Sequence, residues 1–346
     1  MKICILGPVS TNKYWGGVSS FDEGIAEAFI EAGHEVVIIS EQYNEIPIVN
    51  ELPSRLIEKR KVLKTIKDYH PNVVIASLKY GRYFSGLKKH TDIRKIYFLH
   101  GFFNLDSYGA IKTLLAACFQ RWMCSLADEV VSNSYFTSAL NYKFWGIKSD
   151  RVAWLGVDRK YREQVLENPR IKNANNGNIL FAGRLAKGKG VDRIINAFSL
   201  LNNQERKYKL NIAGDGPLKV ELEKLAYKNG INACFLGKIE HDQMYEYYRN
   251  AEIFISLNET ESFGITYVEA LLCGCKIICP KTGGQIEFLS NYPERVKFVD
   301  PYQEQEIKSS LNELLNSLVH ELEGEKIADE FSYNQTIRKI LDIQRV

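Results

Sequence analysis

The chain has 346 residues, too many for one ordinary hydrophobic core, so two domains are expected. Apolar residues make up 45% and charged residues 25%, the balance of a folded globular protein, which excludes a disordered or fibrous chain. A net charge of only +3 excludes a chain that is basic throughout, as a nucleic-acid binder would be.

Met1–Ser10 lacks the long apolar stretch and cleavage site of a signal peptide; Lys2–Leu6 reads as a short buried strand. Similar runs follow at Glu35–Ser40, Asn72–Ser77, Lys95–Leu99, Glu129–Ser132 and Arg151–Leu155. A second set lies at Asn178–Ala182, Lys209–Ala213, Ala233–Leu236, Ile253–Leu257, Lys276–Cys279 and Val296–Val299. Short runs rich in Val, Ile and Phe are what a parallel sheet needs when helices cover both faces. Between them, Phe21, Ile25, Ala28 and Phe29 share a helical face before Gly33, and Ile194, Ile195, Phe198 and Leu201 do so after Asp192. This alternation, made twice, predicts an α/β protein of two doubly wound Rossmann-like domains facing a central cleft, with ligands at the carboxyl ends of the strands. The joint is placed in the polar stretch Asp158–Asn178, which holds Pro169 and the run Asn173–Asn178. The expected domains are residues 1–165 and 166–328, with a terminal segment at 329–346.

Charge is unevenly spread. From Pro53 to Lys95 there are twelve Lys and Arg against three Asp and Glu, a surplus of +9 that leaves the rest of the chain at −6. In Pro53–Tyr69, Arg55, Lys59, Arg60, Lys61, Lys64 and Lys67 surround Leu56, Ile57, Leu63 and Ile66, which reads as an amphipathic helix with a solvated basic face. The functional alternative is that residues 53–95 meet anionic lipid headgroups, with Tyr80, Arg82, Tyr83, Phe84 and the apolar residues of Leu105–Trp122 nearby. No stretch reaches the length of a membrane span; Ala110–Phe119 is interrupted by Lys112. Seven cysteines, none in the two-residue spacing of a zinc or redox pair, read as free thiols in a reducing cytosol. A cytoplasmic protein, peripheral on the inner face of the plasma membrane in the functional alternative, is the expectation.

Polar residues gather where strands end. Tyr14–Trp15–Gly16–Gly17–Val18 follows the first strand and precedes a helix, offering backbone N–H groups to a ligand. His100 closes Lys95–Leu99; a hydrogen bond at a strand end is its simplest role. Gly183–Arg184–Leu185–Ala186–Lys187–Gly188–Lys189–Gly190 sits between a strand and a helix. Its glycines let backbone approach a phosphate while Arg184 and Lys189 supply charge. It nearly spells a P-loop, but Gly190 stands where Ser or Thr would hold magnesium. Gly214–Asp215–Gly216–Pro217 reads as a tight turn into a helix. In Glu261–Ser262–Phe263–Gly264–Ile265–Thr266–Tyr267–Val268–Glu269, two carboxylates flank an aromatic–glycine turn and a helix start. If most of that stretch is helical they stand about two turns apart; one is suited to a ribose diol and the other to a sugar hydroxyl. Lys281–Thr282–Gly283–Gly284–Gln285 makes a further glycine turn.

The ordered set resembles glycosyltransferase family 4, with the GT-B fold, over nearly the whole chain. The resemblance rests on Gly16–Gly17–Val18, Gly33–His34–Glu35–Val36, His100, Leu155–Gly156–Val157–Asp158, Gly183–Arg184 with Lys189–Gly190, and Gly214–Asp215–Gly216–Pro217. It continues through Glu261 to Glu269, Gly283–Gly284 and Phe331–Ser332–Tyr333. It implies a retaining transferase with a nucleotide-sugar donor as co-substrate, UDP-linked before GDP-linked, acting on a glycan or lipid-linked acceptor in bacterial surface polysaccharide synthesis of the O-antigen or capsule type. Arg184 and Lys189 would bind the diphosphate, Glu269 the ribose and Glu261 the sugar. Gly183, Phe263, Gly264, Ile265 and Thr266 would line the donor, Gly16 and Gly17 would approach the diphosphate, and His100 would sit near the sugar. The terminal helix would cross back to the first domain. No Asp-x-Asp string exists, so no metal and no cofactor are expected. A GT-B nucleotide-sugar epimerase, or transfer to a small soluble acceptor, is the alternative.

Overall fold

A computed structural model describes residues 1–10, 16–41, 52–103, 109–168, 176–201, 208–319 and 324–342. Tyr14 and Trp15 of the first glycine turn, Pro169 and Asn173 of the expected joint, and Leu105 at the start of the apolar run lie outside the described residues. The chain divides into two compact units, Met1–Asp158 with Glu330–Val346, and Arg159–Asp329.

In chain order the first unit contains β1 (Lys2–Leu6), α1 (Gly17–Glu31), β2 (Glu35–Glu41), β3 (Ser54–Ile57), α2 (Val62–Tyr69) and β4 (Val73–Ser77). A 3-10 helix (Leu78–Leu87) follows, then β5 (Arg94–Leu99), α3 (Ala110–Cys124), β6 (Glu129–Ser132), α4 (Tyr135–Trp145) and β7 (Arg151–Val152). The strands form one parallel sheet in the order β3-β2-β1-β4-β5-β6-β7. Side chains alternate across it. Ile3 and Ile5 face Phe21, Ile25 and Phe29 of α1, while Cys4 and Leu6 face Val62, Ile66, Tyr80 and Phe84.

One expectation is corrected here. Pro53–Tyr69 is not a single amphipathic helix: Ser54–Ile57 is an edge strand in register with β2, from Ile38 opposite Ser54 to Glu41 opposite Ile57. The helix begins only at Val62, after Glu58 has paired with Arg60 and Lys61. The free edge of β2 offers backbone hydrogen bonds that outweigh a helical pattern of charges.

The second unit contains α5 (Arg159–Glu167), β8 (Asn178–Ala182), α6 (Val191–Ser199), β9 (Lys209–Ala213), α7 (Lys219–Lys228), β10 (Ala233–Gly237) and α8 (His241–Asn250). It continues with β11 (Ile253–Ile255), α9 (Ile265–Leu272), β12 (Lys276–Pro280), α10 (Ile286–Leu289), β13 (Val296–Val299), α11 (Glu304–Asn316) and α12 (Gly324–Glu330). Its six strands are parallel, in the order β10-β9-β8-β11-β12-β13. The unit begins at Arg159 rather than 166 because α5 packs into it: Tyr161 is buried, and its hydroxyl donates to the Glu269 carbonyl at 3.3 Å.

The last helix, α13 (Tyr333–Leu341), belongs to the first unit, where Ile337, Ile340 and Leu341 join the core with Ile25 and Phe29. Val157 pairs with Ser332 in a parallel bridge and its N–H donates to the Phe331 carbonyl at 2.8 Å. The Trp154 and Phe331 rings stack at 5.8 Å. The strings Leu155–Asp158 and Phe331–Tyr333 thus clasp each other inside the first unit.

Candidate active site

In the second unit the polar turns lie at the carboxyl ends of β8, β9 and β11, around the place where strand order reverses between β8 and β11. Gly214 follows β9 at φ 136°, and a Cβ there would lie 1.9 Å from the Gly183 carbonyl oxygen. No residue but glycine lets these two turns lie backbone against backbone. Leu185 N–H donates to the Asp215 carbonyl at 2.9 Å and Leu218 N–H to the Leu185 carbonyl at 3.1 Å. The Gly214–Pro217 turn therefore props the Gly183–Arg184 turn from behind. Arg184 is exposed; its carbonyl accepts from Ala186 N–H at 3.0 Å, and its guanidinium has no ion-pair or hydrogen-bond partner among the described residues.

Lys189, also in that loop, brings its Nζ to 3.6 Å from Glu261 Oε2, which accepts from Asn258 Nδ2 at 2.7 Å. Glu261 is not on a helix, contrary to a two-turn reading of Glu261 to Glu269. It belongs to a turn closed by the Gly284 N–H, which donates to the Glu261 carbonyl at 2.9 Å. A Cβ at Gly284 would lie 2.0 Å from the Ser262 carbonyl oxygen, so the Gly283–Gly284 turn is a second backbone prop. Helix α9 starts at Ile265 after left-handed Gly264, and no side chain caps it. Its first turn therefore presents the positive end of a helix beside the Lys189–Glu261 pair. Phe263 and Gly264 are buried, while Ile265 and Thr266 are half-buried.

Glu269 is buried, with Oε1 2.8 Å from His241 Nε2 at the first position of α8. Tyr248 also bonds this carboxylate; burial first, and then the carboxylate, pushes its hydroxyl well above the usual range. The structure thus gives the two glutamates separate settings, Glu261 with a lysine and an amide, Glu269 with an imidazole and a phenol. Neither His241 nor Tyr248 was expected from sequence. His241 carries one usable signal, its place just after β10, where the other site residues also follow strands.

In the first unit Gly16 caps α1, with Ser19 Oγ accepting from Gly16 N–H at 3.3 Å and donating to its carbonyl at 2.9 Å. Gly17 is exposed. His100 follows β5, and Asn133 Nδ2 donates to its carbonyl at 2.8 Å. Its ring packs 4.9 Å from both Phe21 and Phe98. His100 Nε2 lies 2.9 Å from Ser77 Oγ, which lies 2.7 Å from Asp22 Oδ1. Burial pushes the imidazole down to about 3, so it is neutral at ordinary pH. Burial also pushes the Asp22 carboxyl well above the usual carboxylate range; the Ser77 bond opposes this and Glu23 adds to it. These three residues surround the reversal of strand order between β1 and β4. Asp22 and Ser77 are single residues on α1 and β4, with no local motif to mark them.

The sequence profile of glycosyl transferases group 1 matches residues 164–334, and that of glycosyltransferase family 4 matches residues 15–158. The phosphatidylinositol N-acetylglucosaminyltransferase gpi3 subunit of Schizosaccharomyces pombe is 24% identical over 341 residues, covering 91% of this chain and 73% of the relative. The alpha-monoglucosyldiacylglycerol synthase of Streptococcus pneumoniae is 33% identical over 102 residues, 29% of this chain and 23% of the relative. Against several other curated relatives the match spans about half of their length or less. Anabaena HepE, solved in complex with UDP and glucose, superposes with a TM-score of 0.72 at 17% identity, covering 99% of this chain and 100% of that one, and shares its fold. The chain belongs to glycosyltransferase family 4, with the GT-B fold, and is a sugar-transferring enzyme.

Proposed function

We propose that the protein moves a hexosyl-type sugar from a UDP-linked donor to a lipid-linked or glycan acceptor in bacterial surface polysaccharide assembly, retaining anomeric configuration and using no metal. The observation that carries this reading is the Lys189–Glu261 pair, 3.6 Å apart beside the uncapped start of α9. Such a place suits a ligand with an anionic leaving group next to a hydroxylated ring. Lys189 and Arg184 take the diphosphate with the Ile265 and Thr266 N–H groups, while Glu261 takes a sugar hydroxyl. Glu269, steadied by His241, takes the ribose diol. Gly183, Phe263 and Gly264 shape the donor wall. Gly16, Gly17 and His100 of the first unit are assigned to the diphosphate and the sugar.

As the bond to the diphosphate breaks, negative charge grows on the departing oxygen and positive charge on the sugar. Fixed cations and helix N–H groups then stabilise the leaving group more strongly than the bound substrate, by about 3–4 kcal/mol for a single well-placed donor. The departing phosphate accepts the proton of the attacking acceptor hydroxyl on the same face, which retains configuration.

The names of the relatives quoted above include phosphatidylinositol and diacylglycerol, which supports a lipid-borne acceptor. The first unit has a surface suited to it. Ile111, Leu114, Leu115, Phe119 and Trp122 stand exposed along α3, with Tyr135, Tyr142 and Phe144 exposed on α4. Neither helix holds an acidic residue, and Lys112, Arg121, Lys143 and Lys148 are exposed around them. An apolar face framed by cations suits an anionic bilayer. The basic segment 53–95 keeps an electrostatic part in this attachment but a small apolar one, because Val62, Ile66, Tyr80 and Phe84 are buried and Tyr83 bonds Glu41. No helix of the described residues is long and apolar enough to cross a membrane.

A thermal-shift panel of nucleoside diphosphates and nucleotide-sugars tests the donor; stabilisation by UDP compounds is expected, and stabilisation by GDP compounds alone would replace the base. Transfer should persist in excess chelator, and loss restored by manganese would refute metal independence. Epimer formation from donor without acceptor would refute transfer. Flotation with anionic liposomes at low salt tests attachment, and absence of binding would end that part of the reading.

A further inference from the structure

We propose that Asp22, Ser77 and His100 form an ordered relay, Asp22 Oδ1–H to Ser77 Oγ and Ser77 O–H to His100 Nε2, which holds His100 as the Nδ1–H tautomer and makes it a hydrogen-bond donor to an oxygen of the sugar donor. The contact to the sugar donor rests on the site assignment given above; the relay does not.

Ser77 has one hydroxyl proton and two partners, Asp22 Oδ1 at 2.7 Å and His100 Nε2 at 2.9 Å. It can donate to only one, so the other must donate to it. Two orders exist. In the first, Asp22 is a carboxylate that accepts from Ser77, and His100 Nε2–H donates to Ser77. That order places an anion on a fully buried residue whose Oδ2 has no hydrogen-bond partner among the described residues. Oδ2 faces the backbone of Gly7, where a Cβ would come within 1.8 Å of it.

No cation among the described residues compensates. The charged group acting on Asp22 is Glu23, its neighbour on α1, whose carboxylate accepts from Ser10 N–H at 2.9 Å and Ser10 Oγ at 3.1 Å. The neighbouring ring of Phe21 on α1 meets Phe98 of β5 and Tyr333 of α13 at 4.3 and 6.2 Å, so these elements add apolar and phenolic groups there and no cation. A buried anion with one oxygen unsatisfied costs several kcal/mol. In the second order Asp22 is neutral, its one proton is used by Ser77, and Oδ2 is a carbonyl oxygen, the least costly group to leave unpaired. The upward push of burial on this carboxyl agrees with the second order.

With Nε2 accepting, the proton of the neutral imidazole must sit on Nδ1. Phe21, Phe98 and the Asn133 bond to the His100 carbonyl hold the ring in place. Asp22 and Ser77 are thus positioning residues, acting on the donor only through His100.

Nitrogen NMR of the ring-labelled full chain without ligand at neutral pH reads the tautomer directly, with the His100 signals assigned by their loss in His100→Gln. The Nδ1–H form is expected in the wild type and in Asp22→Asn, whose amide N–H replaces the carboxyl proton toward Ser77. Ser77→Ala should shift His100 toward Nε2–H. An Nε2–H wild type, or an Asp22→Asn variant that changes tautomer, overturns the relay even if Ser77→Ala does not fold. In kinetics Asp22→Asn should exceed Asp22→Ala by about 10-fold in kcat, the worth of one oriented hydrogen bond. A tautomer that changes in Ser77→Ala with no fall in kcat would refute the donor contact and leave the relay standing.

Discussion

The two units share one topology and build their polar ends in opposite ways. The second unit uses backbone: glycine turns lie against each other, and each carboxylate has a polar partner, Lys189 and Asn258 for Glu261, His241 and Tyr248 for Glu269. The first unit uses lone side chains drawn from distant elements and strips them of charge, leaving His100 neutral beside a buried carboxyl. The difference fits a division of labour. A diphosphate needs cations and N–H groups within reach of solvent, whereas a neutral sugar hydroxyl is best met by an uncharged donor or acceptor of fixed direction.

The largest test of that contrast is Lys189→Ala, expected to lower kcat by about 10²–10³-fold with a smaller change in KM. Steady-state kinetics on a folded variant decide it, and an unchanged kcat would remove the charge-based half of the comparison. Gly214→Ala should cost the second unit about 2–3 kcal/mol, because the methyl meets the Gly183 carbonyl and the backbone angle is unfavourable. A urea midpoint within error of the wild type would show that the turns are not held by contact. His241→Ala should weaken donor binding about 10-fold, since a buried carboxylate loses a charge-assisted partner. Calorimetry checks it; combined with Glu269→Ala it should add nothing further.

The smallest effect is on pH dependence in the first unit. Unfolded His100 takes a proton near its ordinary value of 6.5, folded His100 only near about 3. Between those values the unfolded chain binds more protons, so stability falls as pH drops from about 6.5 toward 3 and is unaffected above. Asp22 has the opposite sign: its raised carboxyl binds the proton more tightly when folded, so its contribution is lost as pH rises above the ordinary carboxylate range. Denaturant midpoints against pH should therefore show a shallower acid slope in His100→Gln and a gain at neutral pH in Asp22→Asn. Identical profiles for all three proteins would mean that neither group is held as described.

Much of this arrangement was legible before folding. Ile3, Ile5, Val37 and Ile39 announce a sheet covered on both faces because burial on two sides demands apolar residues at every position. Gly214 and Gly284 announce tight turns at strand ends because backbone that lies this close to backbone needs glycine. Ser54–Ile57 was misread because an exposed edge strand obeys no strict alternation, and its neighbouring cations happened to follow helical spacing. His241 was missed because its partner Glu269 lies 28 positions away, and the bonds of Asp22 to Ser77 and of Ser77 to His100 because 55 and 23 positions separate the partners. Side chains that meet through tertiary folding leave no periodic trace.

The clasp of Val157 on Phe331, with α13 laid over α1, sets an order of maturation. A ribosome releases β1 to β7 well before Ile337 and Ile340, which close the face above Ile25 and Phe29. The contiguous unit from Arg159 to Asp329 can complete its own core in that interval. The half made first is therefore closed last, when Ile337 and Ile340 cover the apolar face of α1.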